Sequence, residues 1–232
     1  MASCLIVLSS WGYGSVCGDA TALESLKAPF FQAHQGIRQS IPQMDFPSST
    51  ETYLLSVEGP HSQVGRTAKV YLIKPPDAAP YVLKIYRSQE TYEQDRDAMQ
   101  ILKKALVQRH VEFQVPDVET EGLPPLTMKM PYTPGRALNS VLMDPEIATV
   151  LKRHLATRYS DLTMDYLTSI REAIPTATLA GVMREAALAE YQVCSVVFWI
   201  SPPNGPKRGL MLKTQQVIVS PEDLSMTIVD PF

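Results

Sequence analysis

Residues 81–87 read YVLKIYR, a β-type run of branched and aromatic residues interrupted by one lysine, Lys84, between Leu83 and Ile85. Such a run predicts a strand. In an alternating strand a lysine at that position is ordinarily the outward residue. The proline-rich turn PPDAAP (75–80) precedes it, then AKVYLIK (68–74), the loop GPHSQVGRT (59–67) and YLLSVEG (53–59). Short strands at this spacing predict an antiparallel meander. Residues 88–108, SQETYEQDRDAMQILKKALVQ, predict a helix with Ser88 as N-cap and Glu90 in its first turn. Tyr92, Met99, Ile101, Leu102 and Leu106 supply its apolar face, with Lys103 and Lys104 near its end.

Beyond this helix, FQVPDVETEG (113–122) and PLTMKMPYTPG (125–135) read as a strand pair. The stretch from 144 to 159 opens with Asp144 as cap and Pro145 at the first helical position. Helical readings continue through SDLTMDYLTSIREAI (160–174) and ATLAGVMREAALAEYQVCSVVFWI (177–200), followed by the loop SPPNGPKRG (201–209). Residues 210–232 read as two strands around the turn SPEDLS, ending in Asp230. Strands with one helix, then helices, then a hairpin make an α+β order in which two lobes meet near 131–136.

The chain has 232 residues, 45% of them hydrophobic, enough for one sizeable core or two small ones. Its formal charge of −3 gives no basis for broad binding to nucleic acid. Cys4, Cys17 and Cys194 lack metal-ligand spacing, and a disulfide framework is not expected. His34, His61, His110 and His154 are scattered, and no apolar run predicts a membrane-spanning helix. Residues 1–18 have the apolar core and small-residue exit of a secretory signal, yet Met1-Ala2-Ser3 carries no positive charge. Export and a buried strand or partner-binding segment both remain open there, and with them an exported or cytoplasmic location. Residues 19–51 form a lead-in with a short helix near 20–27.

In order and separation these pieces resemble the protein-kinase-like superfamily from about Thr52 to Phe232. EGPHSQVGRTAKVYLIK (58–74) is similar to a glycine-rich loop and strand, with Gly59 and Gly65. YVLKIYR resembles the strand that carries the nucleotide-contacting lysine, here Lys84. PLTMKMPYTPGRALNSVL (125–142) is similar to the strand, hinge and first helix that join the lobes, with Gly135 and Leu138 at matching positions. VIVSPEDLSMTIVDPF (217–232) resembles the paired strands ending in the metal-binding Asp, here Asp230. The resemblance implies a two-lobed fold: an N-terminal antiparallel sheet with one helix over 52–131, then a reduced helical lobe with a terminal hairpin over 132–232. It also implies ATP with Mg²⁺ as ligands.

The chemistry behind such a site is electrostatic. A lysine on a rigid strand gives the phosphates a fixed positive charge, and a helix carboxylate orients that lysine. Glu93 and Asp97, four residues apart on one helix face, are the candidates for that carboxylate. Asp230 would hold Mg²⁺ against phosphate oxygens. Leu55, Val57 and Val82 would contact the base. Taken singly, Lys84 reads as a strand-surface residue, Asp230 as a turn residue, and Glu93 and Asp97 as a solvated helix face; only their arrangement favours a site.

The family pattern also breaks. The base-positioning Asp of active kinases falls on Met211, which cannot accept a proton, and the metal-binding Asn falls on Gln216, an uncharged oxygen ligand. Lys213 falls where many members have a phosphate-facing lysine. Pro60 removes one N–H from the phosphate loop, and His61 follows it. Proline follows Asp230, and the resemblance implies a member truncated there, without an activation segment or distal lobe. Three readings follow: a pseudokinase acting as a binding or regulatory module with an unidentified protein partner; an active atypical phospho- or nucleotidyl-transferase of minimal, effector-like kind; and a structural interaction protein. In the last, Met128 and Met130 fill the adenine slot.

Overall fold

The computed structural model describes residues 37–38, 41, 44–55, 68–109, 112–174, 176–185, 190–200 and 208–230. The expectations for residues 1–18, the helix near 20–27, Val57, Gly59, Pro60, His61 and Gly65 lie outside these residues.

The meander around Lys84 is present. Strands β1 (Ile37–Arg38), β2 (Glu51–Leu54), β3 (Ala68–Lys74), β4 (Tyr81–Tyr86) and β6 (Thr127–Pro131) form an antiparallel five-stranded sheet in the order β1-β2-β3-β4-β6. Helix α1 (Gln89–Arg109) follows β4. Ser88 caps it, accepting the Thr91 N–H on its Oγ at 3.2 Å. Asp95, Ala98, Met99, Leu102, Ala105 and Leu106 are buried along one stripe, the spacing of a single helix face.

The second half of the chain is less helical than expected. β7 (Arg136–Ala137) leads into α2 (Leu138–Met143), and α3 runs over Thr149–Ala173. Asp144 ends α2 and does not open α3. Its carboxylate takes Arg136 Nη1 at 2.6 Å and the Glu146 N–H at 2.9 Å, and these bonds hold a turn where a helix was expected. Residues 177–200, expected as helix, are two strands, β8 (Ala177–Glu185) and β9 (Val193–Ile200), paired antiparallel across a bulge between Leu179 and Gly181. Six of the eight residues of β9 are branched or aromatic, which suits a pleated surface, and Gly181 weakens any helix in β8. β10 (Arg208–Leu212) completes this sheet in the order β10-β9-β8.

The terminal hairpin is β11 (Val217–Val219) against β12 (Met226–Ile228), preceded by a 3₁₀ turn over Thr214–Gln216. Its sheet has the order β5-β12-β11-β7, and β5 (Phe113–Gln114) pairs in parallel with β12. The expected pairing of 113–122 with 125–135 is therefore reduced to one bridge, Glu119 with Lys129. The chain is a mixed α+β protein, and among the described residues its sheets are antiparallel apart from the β5–β12 pair.

One large hydrophobic cluster joins the end of α1 to α2, α3 and the later strands, with Tyr159, Tyr166 and Phe198 at its centre. Two small clusters lie on the five-stranded sheet, one around Tyr71, Ile73 and Leu83 and the other around Ala68, Tyr86 and Met128. Gly135 sits where the chain leaves the first sheet. Its φ is 141°, and a Cβ there would lie 2.1 Å from the Val219 carbonyl oxygen, so only glycine fits.

Candidate functional site

Strand alternation places Val82, Lys84 and Tyr86 on one face of β4, while Leu83 packs into the cluster on the other face. Lys84 stands opposite Val70 on β3 and Met128 on β6, and Val82 opposite Leu72 and Met130. Lys84 is therefore an inward residue, 5% exposed. An isolated ammonium is strongly disfavoured at such a position, so its partners decide its state.

Those partners come from two distant parts of the chain. Lys84 Nζ donates to Asp95 Oδ2 at 3.1 Å on α1, and to the backbone carbonyl of Val229 at 3.0 Å. Asp230 Oδ2 is 3.6 Å away. The Tyr86 hydroxyl also donates to Asp95 Oδ2, and Oδ1 of that carboxylate has no partner among the described residues. Burial alone would push the Lys84 pKa down, but the Asp230 and Asp95 carboxylates outweigh it and hold it above the ordinary 10.5. The side chain stays an ammonium. Burial, reinforced by Asp95, pushes the Tyr86 phenol well above its ordinary value and keeps it a neutral donor.

The lysine-orienting carboxylate is thus Asp95, which corrects the expectation of Glu93 or Asp97. At about 100° per residue, positions two before and two after Asp95 point away from the face that meets the sheet. Glu93 accepts from Gln89 Nε2 at 2.7 Å, and Asp97 pairs with Arg96 at 2.8 Å. The signal for Asp95 was in the sequence: it lies three, four and seven residues before Ala98, Met99 and Leu102, in phase with the apolar stripe.

Gln216 is one backbone bond from the cluster, its carbonyl accepting the Val229 N–H at 2.9 Å. Its side-chain oxygen, expected as a metal ligand, accepts the Lys213 N–H at 2.8 Å and closes the 3₁₀ turn. Lys213 enters through that backbone N–H. Met211, at the catalytic-base position, is not on a loop but in β10 opposite Val197. Leu55 extends the β2–β3 ladder by donating its N–H to the Val70 carbonyl at 2.9 Å. Met128 and Met130 are buried at 0% and 3% exposure beside Lys84 and Val82.

Among the described residues no group of three or more His, Cys, Asp or Glu side chains converges as a metal site. Two cavities, of about 480 and 360 Å³, lie elsewhere. The larger is between Arg153, Asp161 and Tyr191, the smaller between Phe46, Tyr81 and Lys129 on the outer face of the first sheet. No helix of the described residues is long and apolar enough to cross a membrane.

Comparison of the chain with protein-family models and with curated proteins finds no match. The functional reading therefore rests on the residues and their geometry.

Proposed function

We propose that the chain is a kinase-like binding or regulatory module, a pseudokinase that takes a nucleotide at Lys84 and Asp230 without transferring phosphate. The observation that carries this reading is the convergence of Lys84 with the Val229–Asp230 segment, 145 residues further along the chain. A cation on a strand, a helix carboxylate beside it and a carboxylate at the end of a hairpin form the arrangement that a nucleotide's phosphates require. The side chain of Asp230 is 43% exposed while that of Lys84 is 6% exposed, so phosphate would approach from the Asp230 side. The donor set fits one hard cation shared between Asp230 and phosphate oxygens, since the other carboxylate of the cluster, Asp95, is buried against Lys84 and Tyr86. Mg²⁺, when bound, would neutralise charge on the phosphates. Met211 offers no proton acceptor, which supports a non-catalytic role.

A specific observation also favours the structural reading. Lys84 already has two acceptors, and the methionines beside it are buried. A thermal-shift titration with ATP, with and without Mg²⁺, separates the two. Wild type at about 100 times the dissociation constant should gain roughly 2.7 kcal/mol. Asp230→Asn and Lys84→Ala, each measured against its own ligand-free baseline, should lose that gain. Absence of a shift in every sample would make Lys84 a purely structural residue.

A further inference from the structure

The Lys84 cluster contains a bond that a phosphate-binding lysine does not need. Val229 lies one residue past the last β11–β12 register pair, Val217 with Ile228. It is held from both sides, its N–H donating to Gln216 O at 2.9 Å and its carbonyl accepting from Lys84 Nζ at 3.0 Å. Asp230 brings its carboxylate to 3.6 Å from the same nitrogen. An ammonium has three N–H donors. Asp95 and Val229 take two, and Asp230 is the nearest charge for the third. A phosphate oxygen arriving at Lys84 must displace one of these. Asp95 is the hardest to move, with its side chain 6% exposed and Tyr86 also donating to it. The neutral carbonyl of Val229 is the weakest acceptor of the set, because bonds to charged oxygens are the stronger ones.

We propose that Lys84 is a latch that holds the Val229 backbone against β4 and α1, and that a polyphosphate bound at Lys84 replaces the Val229 carbonyl and loosens the backbone there, while Asp230 stays at the site beside the phosphates. The ligand half of this proposal rests on the nucleotide reading above; the resting half stands on the contacts alone. Ligand binding is thereby coupled to the loosening of a short backbone segment beyond the ladder, the kind of local two-state element through which a binding module can signal.

Amide hydrogen exchange at Val229 tests both halves, with the β3–β4 amides as internal reference. The variant is Lys84→Met combined with Asp95→Asn, which removes the latch without leaving a buried carboxylate unpaired and keeps an acceptor for Tyr86. Its Val229 amide should exchange about tenfold faster or more than wild type, as loss of one charge-assisted bond implies, with the reference amides unchanged. Equal protection in the two proteins overturns the latch. In wild type, saturating ATP or inorganic tripolyphosphate should raise the melting temperature and speed Val229 exchange together. A melting shift without faster exchange overturns that loosening while leaving the nucleotide site standing. No melting shift with either polyphosphate overturns the nucleotide reading and the ligand half with it, and the double variant still decides the resting contact.

Discussion

Two lysines on neighbouring strands face opposite sides of one sheet. Lys84 on β4 stands opposite Met128, and Lys129 on β6 stands opposite Leu83, in adjacent register pairs. Each has a carboxylate within salt-bridge distance, Asp95 at 3.1 Å and Glu119 at 2.7 Å. The Lys129 pair is shorter, yet its side chains are 33% and 61% exposed against 6% and 6% at Lys84. Water screens the first pair, and its loss returns both groups to solvent. At Lys84 neither group has solvent to return to, so burial and not distance sets what each lysine does for the molecule.

The largest expected effect comes from breaking the buried pair on one side only. Lys84→Met leaves the Asp95 carboxylate inside the protein without its cation, a class of change that destabilises by about 3–5 kcal/mol. Urea denaturation should show that loss, and adding Asp95→Leu should recover most of it. If Lys84→Met alone behaves like a surface substitution, the contrast between the two faces collapses.

Gly135→Ala probes the junction between the sheets, and another glycine supplies its control. At Gly135 the added methyl meets the Val219 carbonyl oxygen, whereas at Gly122, also with positive φ, nothing lies within 4 Å. Gly135→Ala should cost at least about 2–3 kcal/mol from strain and collision together. Gly122→Ala should lose only the backbone part, about 1–2 kcal/mol. Thermal melts of the two variants side by side provide the measurement.

Tyr86→Phe removes one donor from Asp95 and leaves Lys84 in place. A hydrogen bond to a charged group contributes about 1.5–3 kcal/mol, so the loss should fall in that range and below that of Lys84→Met. The pH dependence follows from two raised pKa values. The folded state keeps protons on Lys84 and on Tyr86 that the unfolded chain releases near 10.5 and 10.0. Their stabilisation is complete below those values and is lost as pH rises toward the folded pKa values. Wild type should therefore weaken steeply above about pH 10, and Tyr86→Phe should flatten part of that slope in a denaturation series.

The local elements around Lys84 are legible in the sequence, while the contrast between the two lysines is not. Ser88, the stripe from Met99 to Leu106 and the run around Lys84 carry local signals, because caps and side-chain periods are properties of neighbouring residues. The meeting of Lys84 with Asp230 came from the order of the pieces. Glu93 and Asp97 stand out as a carboxylate pair four residues apart, whereas the buried cation takes the carboxylate in phase with the apolar stripe, Asp95. β8 misled for a different reason. ATLAGVMRE consists mostly of good helix formers, and its extended state is set by pairing with β9, across a stretch that local propensity cannot see. The parallel β5–β12 pair and the Val229 carbonyl contact are likewise long-range.

The smallest expected effect sharpens the comparison most. Lys129 has Glu119 as its ion partner and stands 5.0 Å from the centre of the Tyr81 ring, so it lacks no favourable neighbour. Both interactions are made beside water, where an exposed ion pair contributes about 0.2–1 kcal/mol and an exposed cation–π contact about 0.5–1. Lys129→Met also keeps much of the apolar stem that lies along the sheet. Its destabilisation should therefore stay under about 1 kcal/mol and shrink further in high salt, while that of Lys84→Met should be nearly independent of salt. The same substitution on adjacent register pairs then differs in both size and salt response. Equal salt responses at the two sites would mean that the Lys84 junction admits water, and its ammonium would then need neither Asp95 nor the Val229 carbonyl to remain charged.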